Sequence, residues 1–282
     1  MKDGKVVRRQ RPEGRVTLAF VLTLLALGLL GAFVAGLLGV GGAIVMIPLL
    51  LYVPPLLGVG RLDVKSIAGV TMTQVLIAAA SGMLVHRRHG AVDARLAWIG
   101  GGAMAAGSLA GALGSKWADE RTLLLVFALM VSAAAVLILA PGPRDDAVVD
   151  AARVAWSPVR AAAVTSGVGV AAGLVGAGGA FLLVPLLLVV VGIPLRVTIG
   201  SSLAITALAA VAGFAGKLAT GQIPWAPTLA VVAGAVPGAQ LGALVSRRLP
   251  PRALRLVLLA FVVLTALRVW GDVLSTVVVR GE

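Results

Sequence analysis

The sequence predicts an all-α polytopic membrane protein of about eight transmembrane helices, in two homologous halves that each begin with a glycine/proline-broken helix. Three observations lead there. Of the 282 residues, 60% are hydrophobic and 12% are charged. The apolar residues gather into long segments, roughly 16–57, 64–86, 94–115, 121–140, 159–191, 198–219, 224–246 and 252–274. Runs of about 20 such residues match a hydrocarbon core about 30 Å thick. Finally, the stretch GLLGVGGAIVMIPLLL at 36–51 returns as GLVGAGGAFLLVPLLL at 173–188, identical at ten of sixteen positions. Strands could not satisfy their backbone groups in lipid, and a barrel would show short alternating segments instead.

The chain opens with a tail, 1–15, carrying Lys2, Lys5, Arg8, Arg9, Arg11 and Arg15. It imitates the start of a signal peptide, but the apolar run behind it is too long for one and contains the glycine motif. It is expected to be a basic cytoplasmic tail before a retained first helix. The segments 16–57 and 159–191 exceed one crossing at about 1.5 Å rise per residue. Each is expected to be a crossing followed by a half-helix or re-entrant piece. Helix breaks at membrane depth are tolerated only where the freed backbone faces protein or a water-lined cavity.

Beyond the motif, Gly69, Gly82, Gly90, Gly107, Gly111 and Ser115 fall on Gly200, Gly213, Gly221, Gly238, Gly242 and Ser246, a displacement of 131 residues (69 to 200). The organisation expected is therefore a first transmembrane repeat over 16–140, a polar linker over 141–158, a second repeat over 159–275 and a C-terminal tail over 276–282. Eight crossings would make the halves parallel; a second crossing in each broken segment would invert them. The loop charges bias this choice only slightly.

The net charge of +13 does not indicate nucleic acid, because the basic residues lie in the tail and loops without aromatic interleaving. Loop cations that set topology and meet anionic headgroups explain them better. There is no cysteine, which removes disulfides and thiol chemistry. All eleven Asp and Glu residues lie in tails, loops or at helix ends. Buried carboxylates are the usual proton relays and cation sites of pumps, so a cation exchanger of that kind is disfavoured. No HExxH, GxSxG or metal-ligand cluster is present, so no enzyme, metal or cofactor is expected.

What remains suits an anion. Glycine-broken helices present free backbone N–H groups, and helix amino ends carry partial positive charge. The candidates are Gly39, Gly41 and Gly42, with Gly176, Gly178 and Gly179 in the second half. Hydroxyls and an amide follow in the next helix of each half: Thr71, Thr73 and Gln74 in one, Ser201 and Ser202 in the other. Lys217, matched by His86, lies near the end of its half's second long helix. It could satisfy free carbonyls there, or act as an electrostatic lure at a pore mouth. Gly107-x3-Gly111 and Gly238-x3-Gly242 read as close helix packing.

The paired G-x-x-G-x-G-G-x5-P segments, Gly200-Ser201-Ser202-Leu203, and the Gly-x-Val/Ile at Gly90 and Gly221 resemble the sulfite exporter TauE/SafE family over about 18–274. The resemblance implies a multi-pass transporter of the bacterial inner membrane, usually exporting small sulfur-containing anions such as sulfite, sulfoacetate or other organosulfonates. The first half departs from the pattern with Gly69-Val70-Thr71-Met72. The expectation is a secondary transporter holding a small oxyanion between the broken helices, with the lipid bilayer and the anion as partners and a homo-oligomer left open. The rivals are a carrier for another solute and a non-transporting scaffold subunit.

Overall fold

A computed structural model describes residues 17–38, 41–87, 92–139, 156–246 and 248–278. The tail, Gly39, Gly90, most of the central linker and the last four residues lie outside them. All regular elements among the described residues are helices. They run α1 (Leu18–Leu38), α2 (Ala43–Leu56), α3 (Val64–Arg87), α4 (Ala94–Gly114), α5 (Glu120–Leu139), α6 (Pro158–Val175), α7 (Ala180–Leu186), α8 (Leu195–Ala219), α9 (Trp225–Ser246) and α10 (Pro251–Val278). A π-helical turn, Leu187–Val191, prolongs α7. Among the described residues seven helices are long and apolar enough to cross a membrane; α2, α7 with its π turn, and Leu256–Gly271 of α10 are shorter apolar pieces.

Both over-long segments are helical hairpins. A Cβ placed on Gly42 would lie 2.6 Å from the Ala35 Cβ, and one on Gly31 would lie 2.7 Å from Met46 Sδ. Gly60, beyond α2, abuts Phe20 at the start of α1. So α2 returns along α1, and α3 starts beside the start of α1. In the second half Gly179 meets Ala172 and Val168 of α6 in the same way. The tight turns need glycine: Gly41, Gly42, Gly176, Gly178 and Gly179 all have φ between 62° and 80°, which costs other residues about 1–2 kcal/mol.

Two close-packed groups hold the hairpins. In the first, a Cβ on Gly28 would fall on the Val231 carbonyl and one on Gly36 on that of Ala239, while Gly234 and Gly238 rest against Leu25 and Leu29. The order of these pairs makes α1 and α9 parallel. In the second, Gly169 rests on the Met104 carbonyl and Gly173 on that of Ser108, making α4 and α6 parallel. Helix α8 also lies parallel to α4, since Gly101 meets Leu208 and Gly216 meets Ala112. Backbones this close exclude any side chain between them, which is how helices associate strongly in lipid.

Helices α3 and α8 form the centre. Of their apolar spans, 61% and 72% is buried, against 39–50% for the other five. They run antiparallel: Gly69 packs on Gln222 just past α8, and Met72 packs on Gly213. Since α1 and α3 start on one side and α6 and α8 on the other, the two hairpins point in opposite directions.

The packing predicts that Gly238→Val lowers stability by ~1–3 kcal/mol or prevents folding, by forcing a side chain onto Leu29. Gly102→Ala, whose added methyl meets nothing within 4 Å, should be neutral. Thermal unfolding in detergent measures both.

Candidate functional site

The tips of the hairpins meet halfway along α3 and α8. A Cβ on Gly41 would lie 3.2 Å from the Ala180 Cβ, 3.6 Å from Val75 Cγ1 and 3.7 Å from Thr206 Cγ2. Gly178, in the other tip, presses against the same Val75 Cγ1. Val75 is residue 12 of the 24 in α3, and Thr206 is residue 12 of the 25 in α8. Both are fully buried. The starts of α2 and α7 therefore meet at the middle of the protein.

Those two starts differ from the starts of five other helices. Helices α1, α3, α4, α5 and α6 begin with a side-chain cap, from Thr17, Asp63, Asp93, Asp119 and Ser157 respectively. Helices α2 and α7 begin at Gly42 and Gly179 with no side-chain cap. Helical bonding to Gly42 O begins with the N–H groups of Val45 and Met46, and bonding to Gly179 O with those of Leu182 and Leu183. The N–H groups ahead of them have no carbonyl within their own helix. α8, which begins after Pro194, also lacks a side-chain cap.

Around these starts stand polar side chains without partners. Gln74 and Thr206 are 0% exposed, yet among the described residues Gln74 Nε2 and Oε1 and Thr206 Oγ1 have no hydrogen-bond partner. A Cβ on Gly42 would lie 3.1 Å from Gln74 Nε2, so the amide sits against the first break. Ser108 Oγ is also buried and unpaired, beside Gly213 further along α8. Buried groups of this kind are rare and call for an explanation.

The remaining candidates are engaged. Thr71 Oγ1 donates within reach of Ile67 O and Gly176 O, at 2.8 and 2.9 Å, so it pins the second break to α3. Thr73 Oγ1 donates to Gly69 O at 2.9 Å and Ser202 Oγ to Ile199 O at 3.0 Å, both inside their own helices. Ser201 Oγ accepts from the Asp93 N–H at 3.0 Å, at the start of α4. Gly39 lies outside the described residues, as does the side chain of His86. Thr206 was not a sequence candidate, because the residue matching it in the first half is Val75. Its place one turn beyond Ser202 on α8 is a signal that could have found it.

Proline completes the first tip. Pro48 in α2 has no N–H for the carbonyl of Ile44, one turn earlier. Thr265 Oγ1 of α10 donates to that oxygen at 3.3 Å instead.

Lys217 is fully buried and lies eleven residues beyond Thr206 on α8. Its Nζ donates to Ser115 Oγ at 2.8 Å, Gln222 Oε1 at 3.0 Å and Leu174 O at 3.0 Å. Ser115 caps the end of α4, Leu174 lies in the last turn of α6 and Lys217 in the last turn of α8. Three parallel helices thus direct their carboxyl ends at one ammonium, and partial negative charges stand in for a carboxylate. All three of its hydrogens are used, so Lys217 joins helix ends here.

A profile of the sulfite exporter TauE/SafE family matches residues 24–269. A "probable membrane transporter protein" of Xylella fastidiosa strain Temecula1 is 29% identical over 272 residues, covering 91% of this chain and 98% of that protein. The "probable membrane transporter protein YunE" of Bacillus subtilis is 25% identical over 260 residues, covering 86% and 93%. A third, the "probable membrane transporter protein YdhB" of Bacillus subtilis, is 28% identical over 237 residues, covering 82% and 91%. No solved structure matches the chain.

Replacing Lys217 with Met should destabilise the protein by ~1–3 kcal/mol, because its buried acceptors lose their donor. Added sulfite should not restore the loss. Unfolding in detergent, with and without sulfite, checks this.

Proposed function

Because the chain belongs to the sulfite exporter TauE/SafE family and is a multi-pass membrane transporter, we propose that it exports a small sulfur-containing oxyanion, sulfite or an organosulfonate. The membrane is the bacterial inner membrane, with the basic tail cytoplasmic. The anion sits where the two hairpin tips meet. Gly41 and Gly42 on one side and Gly178 and Gly179 on the other bring the free N–H groups of α2 and α7 to it. Gln74 and Thr206 supply further hydrogen bonds. The single observation that carries this reading is the buried, unpartnered pair Gln74 and Thr206 beside two uncapped helix starts.

The chemistry of such a site is recognition without a buried cation. Backbone N–H groups cannot lose a proton, so their attraction for an anion does not change with pH. The donors come from both hairpins, so the anion bridges them. We read the two halves as inverted copies of one unit, 16–140 and 159–275. Export follows by rocking one against the other around the midpoint of α3 and α8. The substrate's negative charge lets an inside-negative potential drive it outward, by about 2.3 kcal/mol per charge for each 100 mV. Thr71, which pins the second break, keeps the tips in register and does not itself bind the anion.

A non-transporting scaffold would also use the close glycine packing of α1 on α9 and of α4 on α6. It would have no use for an unpaired Gln74, and that favours the transporter.

Efflux of labelled sulfite from proteoliposomes tests the reading. Saturable efflux that speeds up with an inside-negative potential is expected; no flux above empty liposomes from folded protein would contradict it. Gly41→Ala adds a methyl between the tips in a left-handed turn, costing about 1–2 kcal/mol of stability. The folded variant should lose at least tenfold in flux.

A further inference from the structure

Resting on the anion site proposed above, we infer that its ligand carries a hydrogen-bond donor as well as its anionic oxygens, as a monoanion bearing an N–H or O–H group. The starts of α2 and α7 offer only N–H donors, and the anion's oxygens satisfy those. Gln74 is different. A primary amide holds two donor hydrogens and one acceptor oxygen, and neither end of this one is paired. Turning the amide over exchanges the two ends and still leaves a buried acceptor to be met.

Among the described residues nothing donates to that acceptor. The Thr206 hydroxyl is itself unpartnered, so it does not reach Gln74. The ammonium of Lys217 is spent on Ser115, Gln222 and Leu174. A fully deprotonated oxyanion presents oxygens alone and would leave Gln74 Oε1 buried against like charge. A hydrogen sulfite, or a sulfonate with a hydroxyl or amino group, offers it a hydrogen instead. Among the described residues at the tips (Gly41, Gly42, Gln74, Val75, Gly178, Gly179, Ala180 and Thr206) none carries a positive charge, which also suits one negative charge better than two.

Two sulfonates of similar size and equal charge separate this from the parent reading. 2-Hydroxyethanesulfonate has a terminal hydroxyl where propane-1-sulfonate has a methyl group. Their inhibition of labelled sulfite efflux, with titration calorimetry on the purified full chain, should show the hydroxylated anion at least tenfold more potent. In Gln74→Leu, and in the closer-shaped Gln74→Met, that preference should fall to less than threefold. Equal potency in the unmodified protein would overturn the inference and leave sulfite export standing. A preference that survives in both variants would remove Gln74 as its origin and overturn the inference too. Absence of sulfite flux together with absence of binding by either sulfonate would overturn the anion site and the inference with it.

Discussion

A helix that begins in water can leave its first N–H groups to solvent, but α2 and α7 begin inside the protein. Each starts at a left-handed glycine with no side-chain cap. An uncompensated buried N–H costs about as much as a lost hydrogen bond. Two adjacent helix starts of this kind therefore form a positive pole that calls for an acceptor. The rest of the fold can be understood as the means of placing them. Glycines make the turns, and Thr265 and Thr71 bind carbonyls on the two hairpins.

Holding two hairpin tips together in lipid requires more than apolar surface, since lipid is as apolar as leucine. The close approaches of α1 to α9 and of α4 to α6 supply it. Each hairpin's first helix is fastened to a helix from the other half of the chain. The tips are consequently tied to opposite halves, and relative movement of the halves must be transmitted to them. At the far end of α8, Lys217 closes the carboxyl ends of three helices. One pole of the bundle is thus closed by the protein's own lysine, while the central helix starts carry no side-chain cap.

Much of this was legible in the sequence. Two glycine motifs 137 residues apart marked both breaks, and the GxxxG pairs marked the close packing. The hydroxyl candidates were less well resolved, because residue type does not tell an engaged hydroxyl from a free one. Thr73 and Ser202 bond within their own helices, and Ser201 serves the start of α4. Gln74 stands out only once its missing partners are seen. Thr206 was hidden because its match is Val75, and the partners of Lys217 come from residues 115, 174 and 222, which no local pattern relates. Helix direction likewise required contacts, since the loop charges are nearly balanced.

The most direct test of the central claim is an experimental structure of the protein with selenite, using anomalous scattering from selenium to locate the anion. The account predicts a peak between the starts of α2 and α7, within hydrogen-bonding reach of Gln74. A peak at Lys217, or none near the tips at a concentration that saturates sulfite efflux, would contradict it.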